Sequence, residues 1–191
     1  MNKILFINAC VRVESRTLFL AKNVLNNLTG KVKEVDLYKE NIKPIDNDII
    51  KLRDDAFINK DFSNDYFKYA KDFKEADIIV IAAPYWDLSF PSVLKIYLEN
   101  ICIIGLTFKY LKDGTVKGLC KAKKLIYVAT SGGYIPRFNF AFNYVAALSK
   151  EFFGITDTSF FKAEGLDIYP DKEKEILEDT INTINNRLTI D

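Results

Sequence analysis

The chain has 191 residues, 49% hydrophobic and 14% aromatic, which is enough for one domain to bury a substantial core without disulfide or metal staples. Its 27 basic and 26 acidic residues leave a net charge of +1, which argues against nucleic acid or an anionic membrane as main partner, since either selects a basic face. The absence of His removes the Ser-His-Asp and Cys-His nucleophile systems and the common zinc ligand, so any hard chemistry is expected to come from a cofactor.

The start Met1-Asn2-Lys3 runs directly into Ile4-Leu5-Phe6-Ile7, too abrupt for a signal peptide, and no apolar run approaches the about 18 residues of a membrane helix. Cys10, Cys102 and Cys120 are scattered and without CxxC spacing, the pattern of free thiols in a reducing cytosol and not of disulfides or a metal site. A cytoplasmic protein is expected.

Lys3 to Asn8 is a near-continuous apolar run, as in a strand covered on both faces. Ser15 to Leu28 has Leu18, Ala21, Val24, Leu25 and Leu28 at helical spacing, with Ser15 as N-cap and Gly30 as stop. Val32 to Leu37 alternates as a strand. Tyr38 to Lys60 lacks a clear period and reads as a long surface excursion with one short helix around Asp48 to Arg53. Asp61 to Glu75 is helical, with Phe62, Phe67, Ala70 and Phe73 inward.

Asp77 to Ala83 is a third strand, followed by an apolar helix from Ser92 to Ile104 that Gly105 ends. Val93, Leu94, Ile96, Tyr97, Leu98, Ile101, Cys102, Ile103 and Ile104 surround that helix, more than one domain is expected to cover, so a C2 dimer through it is predicted. Thr107 to Leu119 reads as a hairpin around Asp113-Gly114. Lys124 to Thr130 is a strand, Asn139 to Phe153 a helix closed by Gly154, Thr158 to Glu164 a strand, and Asp171 to Leu188 an amphipathic helix. Alternating strands and helices imply a single α/β domain over the whole chain. The predicted architecture is a doubly wound five-stranded parallel sheet, order 2-1-3-4-5, with helices on both faces and a ligand beyond the carboxyl ends of strands 1, 3 and 4.

Three loops fall on that rim. Ala9 to Thr17 lacks the glycines of a dinucleotide fingerprint and the GK[ST] of a P-loop. It instead places Ser15, Thr17, Arg12 and Arg16 at a helix N-terminus, where backbone N–H groups and a guanidinium suit a phosphate, although an ordinary N-cap with solvated arginines fits equally. The second loop, APYWDLSFP, puts the only Trp, Trp86, between Pro84 and Pro91. As a flat stiff wall it suits a planar aromatic ligand, with N–H groups near Asp87 and Leu88 facing ring heteroatoms; the alternative is a rim packed under a neighbouring loop. The third, Thr130-Ser131-Gly132-Gly133-Tyr134, allows close backbone approach, though alone it is only a turn. Together, phosphate site, aromatic wall and glycine edge describe FMN.

The segments APYWDLSFPSVLKIYLE, GLTFKYLKDGTVKGL, VATSGGY and the late FFGI and AEG, in that order, resemble the FMN-dependent NADH:quinone oxidoreductase and azoreductase family, which has a flavodoxin-like fold. The resemblance implies that Ser15, Arg16 and Thr17 hold the FMN phosphate, that Pro84, Tyr85, Trp86, Asp87 and Leu88 line the isoalloxazine, and that Thr130, Ser131, Gly132 and Gly133 form its other edge. It implies a homodimer whose sites are completed by the partner subunit. It also implies a ping-pong reaction in which NADH or NADPH gives hydride to the flavin N5 and a quinone, azo compound or similar acceptor then takes two electrons.

Two positions depart from the family. Relatives often carry Asn at Asp87, where a carboxylate disfavours an anionic reduced ring, and a His shortly after the Gly-Gly turn, where this chain has Tyr134-Ile135-Pro136-Arg137. Tyr85, Tyr134 and Arg137 are the side chains that remain to orient or protonate an acceptor. The rival reading is a flavodoxin-type electron carrier, usually strongly acidic, which the near-neutral charge fits poorly. A receiver domain would want clustered acids where Ala9-Cys10-Val11 stands.

Overall fold

A computed structural model describes residues 1–188. Its strands are β1 (Asn2–Asn8), β2 (Gly30–Asp36), β3 (Ile78–Ala82), β4 (Phe108–Tyr110), β5 (Val116–Gly118), β6 (Lys124–Thr130) and β7 (Asp157–Ala163). Its helices are α1 (Arg16–Asn26), α2 (Asn47–Asn59), α3 (Lys68–Glu75), α4 (Ser92–Ile101), α5 (Phe142–Leu148) and α6 (Glu173–Leu188). Five strands form one parallel sheet in the order β2-β1-β3-β6-β7, while β4 and β5 make a separate antiparallel hairpin. The order expected from the sequence matches once the hairpin strands are left out of the count.

The near-continuous apolar strands follow from a sheet buried on both faces. Successive β1 side chains alternate between two cores: Ile4 and Phe6 join Leu20, Ala21 and Val24 of α1 and Ile184 and Leu188 of α6. Leu5 and Ile7 belong with Phe73 of α3, Leu94, Tyr97, Leu98 and Ile101 of α4, and Val145 of α5. The crossovers thus leave every parallel strand ending on one rim, where the loops after β1, β3, β6 and β7 meet.

Several boundaries differ from expectation. The helix α1 closes at Asn27, whose N–H reaches the carbonyls of Val24 and Leu25, and Gly30 opens β2 instead. A Cβ on Gly30 would lie 2.5 Å from the Asn2 carbonyl oxygen, so close strand approach, not helix termination, is what demands glycine there. The excursion after β2 holds a helix of 13 residues, longer than predicted. Its apolar period is illegible because only Ala56 is buried. Caps and docking build it instead: Asp46 Oδ1 accepts from Ile49 N at 2.9 Å, and Arg53 donates to Tyr66 Oη and to the Glu99 carbonyl at 2.8 and 2.9 Å.

Residues 61–64 are not helical; a 3-10 turn, Asp65–Phe67, leads into α3. Ala141 is the cap residue of α5, and Asn139, two residues earlier, accepts from Ala141 N and Phe142 N; the α5 segment finishes in a π turn, Ser149–Phe153, closed by Gly154 at φ 76°. The helix α4 stops at Ile101 because Thr107 Oγ1 donates to the Ile101 carbonyl at 2.7 Å and accepts from Ile103 N at 3.0 Å.

The apolar surround of α4 is also covered more fully than predicted. Leu94, Tyr97, Leu98, Ile101 and Ile103 are buried, and Val93, Ile96, Cys102 and Ile104 are half-buried. The excursion lies over this helix, with Asn100 Nδ2 bound to the Lys43 carbonyl at 3.0 Å. The excursion thus covers most of that apolar surround and leaves four of its nine residues half-buried. Among the described residues, no helix is long and apolar enough to cross a membrane.

Candidate functional site

A cleft at the carboxyl rim is lined by Val11, Arg12, Glu14, Ser15, Arg16, Thr17, Pro84, Tyr85, Trp86, Thr130, Gly132 and Asp167. It therefore gathers most of the three predicted loops. Asp87, Leu88, Ser131 and Gly133 stand beside the lining residues in the chain without forming part of it, and Tyr134 and Arg137 lie outside it.

The corner after β1 is rigidly built. Cys10 N donates to Asn8 Oδ1 at 3.0 Å, Asn8 Nδ2 to Glu34 Oε1 at 2.9 Å, and Ala9 N to the Ala82 carbonyl at 2.8 Å. Ser15 caps α1, its Oγ accepting from Leu18 N at 3.2 Å. The N–H groups of Arg16 and Thr17 have no partner among the described residues, the ordinary condition of a helix first turn and one that suits an anion. Thr17 is buried, and its Oγ1 lies 2.6 Å from Thr130 Oγ1, tying the corner to the end of β6. One of the two hydroxyls donates to the other, so one hydrogen of the pair stays available. Burial pushes the Cys10 thiol up to about 11, so it stays protonated and unreactive near neutrality.

The two arginines differ. Arg12 is exposed and makes no ion pair among the described residues. Arg16 is held by two carboxylates: Nη1 is 3.0 Å from Glu173 Oε2, and Nη2 is 3.2 Å from Asp167 Oδ1.

The loop after β3 is of another kind. Tyr85 N donates to the Thr130 carbonyl at 3.0 Å, anchoring its base. Trp86 and Ser89 then exchange backbone hydrogen bonds of 3.0 and 2.7 Å around Asp87 (φ 50°) and Leu88 (φ 65°). Two left-handed central residues are the mark of a type I′ turn, normally Asn-Gly; Asp tolerates the region, but Leu is strained there. Phe140 N donates to the Leu88 carbonyl and Ser89 Oγ to the Phe140 carbonyl, both at 3.1 Å, which holds the turn from behind. Asp87 N and Leu88 N have no partner among the described residues. Trp86, 39% exposed, belongs to neither core.

The glycine loop is pinned to the end of β7. Ser131 N donates to the Ala163 carbonyl, Leu166 N to that of Ser131, Asp167 N to that of Gly132 and Gly165 N to that of Gly133, at 2.9 to 3.2 Å. A Cβ on Gly132 would sit 2.0 Å from Asp167 Oδ2, whereas nothing lies within 4 Å of one on Gly133.

Of the side chains considered for acceptor chemistry, Tyr85 turns its hydroxyl into the protein, where it is buried without a partner, and that burial raises its pKa. It cannot meet an acceptor in the cleft. Tyr134 is exposed, and its Oη donates to Tyr169 Oη at 3.3 Å. Arg137 is exposed on the same loop. Glu14 and Asp167, both lining the cleft, were missed by the sequence reading. The available signal was position: Asp167 follows AEG at the carboxyl end of the last strand, on the same rim.

A family model for the flavodoxin-like fold matches residues 2–188. The FMN-dependent NADH:quinone oxidoreductase 2 of Clostridium acetobutylicum is 37% identical, covering 95% of both chains. That of Coprothermobacter proteolyticus, an FMN-dependent NADH:quinone oxidoreductase, is 38% identical over 92% of this chain and 93% of its own. Among solved structures, an azoreductase from Bacillus anthracis superposes with a TM-score of 0.85 at 29% identity, covering 98% of this chain and 99% of its own. Sheet order, rim cleft and these likenesses agree, and the chain belongs to the flavodoxin-like family that includes the FMN-dependent NADH:quinone oxidoreductases.

Proposed function

We propose that this chain is an FMN-dependent oxidoreductase, one domain spanning residues 1–191, that passes two electrons from NADH, or NADPH, to quinones, azo compounds or similar small acceptors in the cytoplasm. The observation that carries the reading is the cleft itself, with unpaired helix N–H groups at one end and Trp86 at the other, in a chain whose relatives carry those activities in their names. The carrier alternative is disfavoured by the same relatives and by the net charge of +1.

The residues present fit the cofactor. The N–H groups of Arg16 and Thr17, the hydroxyls of Ser15 and of the Thr17–Thr130 pair, and the Arg12 guanidinium would hold its phosphate. Arg16 would join them from its carboxylate partners. Pro84, Tyr85 and Trp86 would wall the ring, the free N–H groups of Asp87 and Leu88 would donate to its polar edge, and Thr130, Ser131, Gly132 and Gly133 would border the far side. FMN, when bound, supplies the two-electron chemistry that the side chains lack. The protein's part is to orient donor and acceptor in turn over one face and to exclude water from it. With the Tyr85 hydroxyl buried, Tyr134 and Arg137 are the rim groups that would orient an acceptor. A second copy of the chain would complete the rim, where Leu88, Tyr134, Phe138 and Phe140 stand exposed.

The test is direct. Purified protein should be yellow or take up FMN, release FMN and not FAD on heating, and oxidise NADH continuously with menadione. Release of FAD, or no flavin binding after reconstitution, overturns the cofactor assignment. Flavin binding without turnover restores the carrier reading.

A further inference from the structure

The charge in the phosphate corner is balanced in a way the cofactor does not require. Arg12 and Arg16 face the cleft, but so do Glu14 and Asp167, so two cations meet two anions before any phosphate arrives. Asp167 is the closer antagonist. Its Oδ1 lies 3.3 Å from Arg16 Nη1 and 3.2 Å from Nη2, while Glu173 takes the same guanidinium from outside the cleft at 3.0 Å. Asp167 is held in place by its own backbone, Asp167 N donating to the Gly132 carbonyl at 3.0 Å, and its carboxylate occupies the space a side chain at position 132 would need. The carboxylate therefore lies within reach of both the Arg16 guanidinium and the glycine loop, with most of its side chain open to solvent.

Resting on the reading proposed above, we propose that Asp167 is a specificity-determining residue of the cleft, a resident anion that competes with the cofactor phosphate for Arg16. A phosphate arriving at the α1 N-terminus meets a guanidinium already paired twice and a fixed like charge beside it. Arg16 serves the phosphate only to the extent that it leaves Asp167. Glu173 keeps the guanidinium near the start of α1 in either arrangement, so releasing Asp167 does not release Arg16 to solvent. The affinity for phosphorylated flavin is thereby held below what the N–H groups, hydroxyls and two arginines would otherwise provide. Affinity for the unphosphorylated ring is untouched, because nothing in riboflavin calls on Arg16.

The experiment compares FMN and riboflavin binding, read by flavin fluorescence, in the parent and in Asp167→Asn and Asp167→Ala. Asp167 is 72% exposed, so neither variant endangers the fold. Both should bind FMN roughly 3- to 10-fold tighter than the parent at low ionic strength, the size of one like-charge contact of about 4 Å in a water-like dielectric, which suits so exposed a carboxylate. Riboflavin affinity should be unchanged, and the FMN gain should shrink in about 0.5 M salt, where exposed charges are screened. Unchanged or weaker FMN binding in Asp167→Asn, in a parent that binds FMN, overturns the competitor role and makes Asp167 a support for Arg16 or a bystander. An equal gain for riboflavin also overturns it. A parent that binds neither flavin overturns the cofactor reading itself.

Discussion

The corner after β1 and the loop after β3 close the same cleft by opposite means. The corner is relaxed and braced from within, by a capped helix, a buried threonine pair and a sealed thiol, with its free donors set by the helix start. The loop is exposed and strained, a tight turn with two non-glycine residues in left-handed conformation, held from behind by Phe140. A charged group needs donors fixed in advance, since reorganising polar groups at binding costs what the contacts return. A flat ring needs area, and a turn that lifts an indole off the core provides it. The difference teaches that phosphate and ring should be separable in mutants.

Trp86→Ala should give the largest effect. Losing one aromatic face costs about 1–3 kcal/mol by analogy with base stacking, which is roughly 5- to 150-fold in affinity. FMN and riboflavin should lose equally, and the melting temperature should stay put because Trp86 joins neither core. A variant that binds both flavins normally but melts many degrees lower would make Trp86 core packing and erase the contrast.

Thr17→Val acts at the other end. It keeps the volume but leaves the Thr130 hydroxyl without its 2.6 Å partner. A stability loss of about 1–3 kcal/mol is expected for a buried hydroxyl so orphaned. FMN should weaken by about 10-fold, the order of one charge-assisted bond, with riboflavin spared. Equal loss of both flavins would show the two ends to be one coupled unit.

The smallest effect is expected from Leu88→Gly. Left-handed backbone costs an L-residue roughly 1–2 kcal/mol, against about 0.5–1 kcal/mol for the added freedom of glycine in the unfolded chain. The flavin-free protein should gain about 0.5–1 kcal/mol, roughly 1–4 °C in melting temperature. A drop in calorimetry would mean that Leu88 contributes packing worth more than the strain.

What was legible in the sequence is what near neighbours decide. The apolar runs of β1, β3 and β6, the Ser15 cap and the Asp113-Gly114 hairpin are each written within a few residues, because period and capping are local physics. The rim location of the three loops followed from the alternation of strands and helices alone.

Other features required the folded chain. The length of α2 depends on Arg53 reaching Tyr66 and Glu99, not on an apolar stripe. The coverage of α4 depends on that same excursion folding over it. Tyr85 does line the cleft, but its hydroxyl is buried, and packing against core residues distant in the chain decides that. Arg16 is the plainest case: its partners lie 151 and 157 residues away, so a guanidinium that reads as a free phosphate ligand is, in three dimensions, already bound to carboxylates. Local pattern determines which residues reach the rim. Only tertiary structure decides which of their charges remain unspent, because ion pairing follows distance in space and not in sequence.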